Sequence, residues 1–308
     1  MSVSFFCCHR NDRLTGAERF MARIVYVNGC YQPLRQAAVA VEDRGLQFGD
    51  SVYEVIYVAH GRLMDVAPHL ARLRRSLQAL RLPFAFYETA LIAVLTEVVR
   101  RNRLRFGLLY IQVTRGHAPR AHAFPDNVTR PTVIVTARSV VPCPVNAEGW
   151  GISAITLPDD RWARCDIKTT NLLPNVLARQ KAREQDAGEA ILYDREGNVT
   201  EGAATTVWAV GVDGVLRTRN LDYSVLPGCT REVLTTEILP ALGGFSVREE
   251  PIALDALKTA REIFLTSATS FVKPVLRLDG LAVGDGTPGP VARHLLHHLS
   301  LHFDKQVP

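Results

Sequence analysis

Hydrophobic positions in the first 140 residues follow two different spacings. Residues 23–28 (Arg-Ile-Val-Tyr-Val-Asn) and 37–41 alternate apolar with polar as strands do, and Asn28-Gly29 is a hairpin signal. Residues 51–58 continue the two-residue period, with Tyr53, Val55 and Tyr57 on one face and Glu54 on the other. His60-Gly61 then turns the chain back towards Leu63. Leu70, Leu73, Leu77 and Leu80 switch to the helical period, which predicts a helix over 69–82. Leu91, Val94, Leu95, Val98 and Val99 predict another. Residues 107–114 and 132–141 read as buried strands. Strands and helices come in runs rather than in strict alternation, which predicts an α+β class.

The pattern breaks at Val141-Pro142-Cys143-Pro144, so residues 142–147 read as a linker between a small α+β domain, 21–141, and a larger one, 148–308. The larger domain predicts a strand at 151–156, a helix at 171–185 and strands near 189–193 and 205–210. A turn at Glu196-Gly197-Asn198 separates the last two. A helix at 229–242, a strand at 262–266 and a terminal helix at 290–303 complete it. Residues 1–20 carry Phe5-Phe6-Cys7-Cys8 followed by charges, without the apolar stretch of a secretory signal. They read as a disordered tail before the strand pattern that opens at Met21.

Composition narrows the function classes. A chain of 308 residues suits two domains, and 47% hydrophobic with 22% charged residues is a globular balance. The net charge of +5 is spread along the chain, with no basic cluster of the kind that binds nucleic acid. No apolar run approaches the ~20 residues of a membrane span. The six cysteines form neither C-x-x-C nor a metal-ligand spacing, which points to reduced thiols in a cytoplasmic protein. His294, His298 and His302 follow the i,i+4 spacing, but no acid or cysteine completes a metal site and the neighbouring leucines supply a packing stripe. No metal is expected.

Of the 36 basic residues only five are lysines, at 168, 181, 258, 273 and 305. Lysine can lose its proton and condense with an aldehyde, which arginine cannot. Lys168 follows a predicted strand and precedes a predicted helix, where its amine can face a cleft; it can equally be a solvated strand-end lysine. Glu201, before a glycine, reads on spacing alone as a turn residue. Gly228-Cys229-Thr230 opens the helix at 229–242, with Thr230 as a candidate N-cap. Arg120-Ala121-His122 presents two side chains on the same side of an extended loop.

Five segments together resemble the fold-type IV pyridoxal-phosphate enzymes, most closely the D-amino-acid aminotransferases. They are Glu42 to Asp50 (EDRGLQFGD), Tyr110 to His122, Arg164 to Leu173, Val199 to Gly202 and Gly228 to Arg231. The resemblance covers about residues 23 to 300. It implies a two-domain α+β homodimer with pyridoxal 5'-phosphate at the domain interface, exchanging an amino group between D-amino acids, D-alanine foremost, and 2-oxo acids. It assigns the cofactor-binding and catalytic amine to Lys168 and the acid facing the ring nitrogen to Glu201. Arg72, Cys229, Thr230 and Ser267 are implied to bind phosphate, and Leu226 to pack on the ring. The family carries a hydroxyl where Ala268 stands, leaving backbone N–H and Ser267 for that contact. Tyr53, with Arg120 and His122 from the neighbouring subunit, is implied to trap the substrate carboxylate. The alternatives are a branched-chain L-amino-acid aminotransferase, a lyase of the aminodeoxychorismate type and a non-catalytic carrier of the cofactor.

Overall fold

A computed structural model describes residues 23–126, 129–141 and 149–307. The expected tail, 1–20, and the expected linker, 142–147, lie outside them. The described chain divides into two compact units. One holds the residues up to 141 together with Lys168–Asn171 and Gln306; the other holds those from 149 to Ile167 and Leu172–Lys305.

The first unit is one antiparallel sheet with helices. Its strands are β1 (Ile24–Val27), β2 (Cys30–Pro33), β3 (Ser51–Ala59), β4 (Arg62–Leu63), β5 (Gly107–Thr114) and β6 (Val133–Ser139), in the order β2-β1-β6-β5-β3-β4. Asn28 and Gly29 both take positive φ, 49° and 97°, as a two-residue hairpin loop between β1 and β2 requires. The helices are α1 (Arg44–Phe48), α2 (Val66–Ala79) and α3 (Glu88–Arg101). Leu70, Leu73 and Leu77 of α2 and Leu91, Leu95, Val98 and Val99 of α3 are buried, as their period predicts. So are Val52, Ile56, Leu109, Ile111 and Val113 on the central strands.

The expected strand at 37–41 does not form. A short 3-10 turn at Leu34–Gln36 leads into open chain, where Val39 and Val41 stay exposed. Alternation makes a strand only where a neighbour can take its hydrogen bonds.

The second unit is a mixed sheet of ten strands: β7 (Ile152–Pro158), β8 (Glu189–Tyr193), β9 (Asn198–Gly202), β10 (Thr206–Val210), β11 (Leu216–Thr218), β12 (Val247–Glu249), β13 (Ile252–Ala253), β14 (Glu262–Ser267), β15 (Phe271–Leu278) and β16 (Leu281–Ala282). Their order is β12-β11-β10-β14-β15-β7-β8-β9-β13, with β16 beside β15. Helix α4 (Leu173–Glu184) packs on β7 and β8. The predicted helix at 229–242 is continuous but changes pitch: α5 (Cys229–Val233), a π turn (Leu234–Ile238), then α6 (Leu239–Leu242). Pro240 lacks an N–H and crowds the carbonyl of the preceding turn, and the π turn just before it absorbs that misfit. Helices α7 (Leu254–Lys258) and α8 (Pro290–Lys305) follow.

Two core clusters lie on this sheet. One gathers Ile191, Val199, Val207, Ile263 and Leu265; the other gathers Ile155, Ala182, Ala190 and Leu192. The turn expected about Glu196-Gly197-Asn198 forms, with Gly197 at φ 79°, but a strand that the sequence does not reveal, β9, begins at its end and carries Glu201, which spacing alone reads as a turn residue. Strand β15 is hidden in the sequence by Pro274, which reads against a strand. Among the described residues no helix is long and apolar enough to cross a membrane.

Candidate active site

Lys168 is the first residue of a short segment that docks along β3. Its N–H donates to the Ser76 hydroxyl (3.2 Å) and its carbonyl accepts from the Tyr53 N–H (2.9 Å). Thr169 donates its hydroxyl to the Ser51 carbonyl (3.0 Å), and the Ser51 and Thr170 hydroxyls share a short hydrogen bond. Asn171 donates to the Gly49 carbonyl (3.4 Å). Gly49 ends α1 in the left-handed conformation, φ 64°, and a Cβ there would collide with the Asn171 side chain. The backbone of Lys168 is thus fixed within the first unit, although the sequence suggests the larger domain. Its amine lies 4.3 Å from the centre of the Tyr53 ring, and among the described residues no carboxylate pairs with it. Tyr53 in turn stacks on Tyr110, with centroids 5.5 Å apart.

Arg72 is buried on α2, against Glu54 on β3. Its Nε donates to Glu54 Oε1 (2.7 Å) and Nη2 to Oε2 (2.8 Å), a forked pair. His69 Nδ1 lies 2.8 Å from Glu54 Oε2. Burial alone would raise the Glu54 carboxyl, but the charge and hydrogen bonds of Arg72, aided by His69, hold it well below the usual carboxylate range. Sequence reasoning places Glu54 on the correct face and gives it no role, because a lone acid on a strand does not reveal its partner.

Arg120 and His122 lie on an exposed loop, and both approach one aromatic ring. The Arg120 guanidinium sits 4.7 Å from the Phe48 centroid, and the His122 ring sits 5.6 Å from it. Buried Arg44 donates to the carbonyls of Ala121 (2.6 Å) and His122 (3.3 Å), and to Asp50 (2.9 Å). Arg115 also pairs with Asp50, at 2.7 Å. Arg44, Phe48 and Asp50 all belong to the EDRGLQFGD segment. That motif therefore serves as a mount for the loop, a role the sequence does not disclose. Among the described residues, neither Arg120 nor His122 contacts Tyr53 or Lys168.

In the second unit Glu201 is enclosed on β9. Arg161 Nη1 makes a short hydrogen bond to Oε1, and the Leu226 N–H donates to Oε2 (3.1 Å). Leu226 is thereby tied to the acid that the resemblance pairs with the same ring. Burial pushes the Glu201 carboxyl above its ordinary value, opposed by the charge and hydrogen bonds of Arg161. The sequence gives no hint of Arg161, since nothing in Asp159-Asp160-Arg161-Trp162 signals a partner 40 residues away.

The N-cap of α5 is Gly228 rather than Thr230, and no side chain caps the helix. Cys229 and Thr230 are buried, and the Thr230 hydroxyl takes no hydrogen bond among the described residues. Free N–H groups at such an end suit an anion. The Ser267 hydroxyl is occupied within its own turn, accepting from the N–H groups of Thr269 (3.3 Å) and Ser270 (3.1 Å); Ala268 lies in the same turn.

The sequence matches the family described as Amino-transferase class IV over residues 51–278. This chain belongs to that family. It is 40% identical over 286 residues to the D-alanine aminotransferase of Staphylococcus haemolyticus, covering 92% of this chain and 98% of that protein. It is 41% identical over 271 residues to the D-alanine aminotransferase of Bacillus licheniformis, covering 88% of this chain and 94% of that protein. The Escherichia coli branched-chain amino acid aminotransferase superposes with a TM-score of 0.83 at 26% identity, covering 92% of this chain and 95% of that one. A second branched-chain amino acid aminotransferase, complexed with N-(5'-phosphopyridoxyl)-L-glutamate, gives 0.81 at 28% identity, covering 92% and 95%. The protein is an α+β aminotransferase of fold type IV, a group that works with pyridoxal phosphate.

The donor sets of both units fit that cofactor. One offers an amine without a carboxylate partner and a buried arginine; the other offers an enclosed carboxylate and an uncapped helix end.

Proposed function

We propose that this protein is a pyridoxal-phosphate-dependent transaminase that moves an amino group between D-amino acids, D-alanine foremost, and 2-oxo acids such as 2-oxoglutarate and pyruvate. The reading rests above all on the 40% identity to a D-alanine aminotransferase across 98% of that protein's length. The branched-chain enzymes share the fold at a lower identity of 26%, so their specificity is the second reading.

The resemblance assigns Lys168, Arg72, Glu201, Leu226, Cys229, Thr230, Ser267 and Ala268 to the cofactor. When bound, the cofactor supplies an aldehyde to take up the amino group and a ring to accept the electron pair left at the substrate Cα. Lys168 Nζ takes the Cα proton. Glu201 holds a proton on the ring nitrogen, and the α5 N-terminus and Arg72 serve the phosphate. The substrate carboxylate is held by Tyr53 with Arg120 and His122. Because the side-chain partners of those two among the described residues are Gln47 and Phe48 rather than Tyr53, we place them in a homodimer, each reaching the partner's site. With free thiols at Cys30, Cys165 and Cys229, the cytoplasm is the proposed location.

D-alanine and 2-oxoglutarate should yield pyruvate, with no turnover of L-leucine. L-leucine turnover without D-alanine turnover would overturn this reading in favour of the second. Arg120→Ala should raise KM for both the amino acid and the oxo acid by roughly ten- to a hundredfold, the worth of hydrogen bonds to a charged group. Cofactor content should be unchanged; loss of cofactor would show that Arg120 serves the phosphate instead.

A further inference from the structure

Beyond the family assignment of Glu201, the buried side chains around it form an ordered charge relay of three. Asp159 accepts from Arg161 Nε (2.8 Å) and Nη2 (2.7 Å), from the Arg161 N–H (3.1 Å) and from the Thr200 hydroxyl (2.6 Å). Arg161 uses the other edge of its guanidinium on Glu201, and Nη2 also donates to the Ser224 carbonyl (3.1 Å). Glu201 receives Arg161 on one oxygen and the Leu226 N–H on the other. The side chains of Asp159, Arg161 and Glu201 are only 10%, 6% and 8% exposed. One cation between two anions leaves a single net negative charge on side chains about nine-tenths removed from water.

We propose that Arg161 is a positioning residue that keeps Glu201 ionised and aimed, and that Asp159 anchors Arg161 so that one negative charge remains for a cationic ligand. The cationic ligand is the ring nitrogen, and that part rests on the pyridoxal-phosphate reading. The relay itself stands on the geometry of this unit.

Without Arg161, Glu201 would lose its charge. A carboxyl enclosed in protein favours its neutral form, and a neutral acid cannot hold a proton on a ring nitrogen by charge. The Leu226 N–H gives Glu201 one neutral hydrogen bond, which alone is a weak counterweight to burial. Arg161 supplies the full charge and, through its planar fork, serves both carboxylates at once, which a lysine cannot do. Asp159 has the opposite influence on Glu201: its charge raises the Glu201 carboxyl while its hydrogen bonds hold Arg161 in place. Among the described residues Cys165 is a further titratable group beside them, with Asp166 acting on it in turn; burial pushes its thiol up to about 12, so it stays neutral. Its Sγ lies 3.1 Å from the Trp162 carbonyl.

The two flanking charges therefore give opposite signs. In the full-length protein freed of cofactor, infrared titration of the protonated carboxyl band follows Glu201, identified by its loss in Glu201→Gln. Arg161→Met should raise the midpoint of that band by about one pH unit or more, which is a tenfold change in the ionisation equilibrium. Asp159→Asn should lower it. Arg161→Lys, which keeps the charge but not the fork, should fall between wild type and Arg161→Met. With cofactor, Arg161→Met should weaken pyridoxal-phosphate affinity about tenfold or more by the same linkage.

A Glu201 midpoint unmoved in folded Arg161→Met overturns the proposal. If Arg161→Met does not fold, Asp159→Asn decides alone: a downward shift supports the relay, and no shift or an upward one overturns it. The titrations need no cofactor. Failure of the wild-type protein to bind pyridoxal phosphate would sink the proposed function while leaving the relay to be judged by its own midpoints.

Discussion

Replacing Lys168 with alanine should lower transamination by about 10⁴-fold or more, because on the proposed function one substitution removes both the amine that binds the cofactor and the base that takes the Cα proton, and base catalysis alone is worth ~10²–10⁴. The fold should survive. Both main-chain hydrogen bonds of Lys168, to Ser76 and Tyr53, use backbone atoms that alanine keeps. Among the described residues its amine meets the face of the Tyr53 ring, a contact worth roughly 0.5–1 kcal/mol at a partly exposed site. The check is pyruvate formation from D-alanine together with a thermal melt. Activity near wild type in a normally melting variant would remove Lys168 from the chemistry. A collapsed melting temperature would instead show that the amine supports the fold.

The largest effect on stability should come from Glu54→Ala. Glu54 is fully buried, and its two oxygens satisfy Arg72 and His69 together. Taking it away removes the forked carboxylate partner of a buried guanidinium, and breaking a buried pair from one side costs about 3–5 kcal/mol. Glu54→Gln should cost less, since an amide oxygen still accepts one Arg72 hydrogen bond. The native carboxyl is held below its ordinary value. Its contribution to stability is therefore complete above the unfolded glutamate pKa and is lost as pH falls through the depressed folded value. Urea midpoints at neutral and acid pH test both points. The gap between wild type and Glu54→Gln should narrow as the solution is acidified. An unchanged gap, or a Glu54→Ala protein as stable as wild type, would mean that the pair contributes little.

Much of the secondary structure is legible in the sequence because local periodicity survives wherever an element has one buried face. Leu70, Leu73 and Leu77 mark α2, and Leu91, Leu95 and Val98 mark α3. The hairpin at Asn28-Gly29 is legible because few residues accept positive φ. The strand expected at 37–41 fails because alternation does not say whether a neighbouring strand exists. Strands β9 and β15 escape notice for the converse reason. Their partners, not their own patterns, make them strands: β9 holds Thr200 and Glu201 on a fully buried stretch, and β15 continues through Pro274.

The chemistry available to this protein is written in its linear order: one lysine in a recognisable segment, an acid, a helix start and an Arg-x-His loop, set along an α+β chain. Which charges become neighbours is a matter for the folded molecule alone. Folding joins both Arg72 and His69 to Glu54, seats Arg120 and His122 around Phe48, and pairs Arg161 with both Asp159 and Glu201. Glu54, Phe48 and Glu201 lie on other elements than the residues they hold, so no helical or strand period links them. Burial then makes the pairings matter, because a charge removed from water must find its counterpart wherever the fold brings one near.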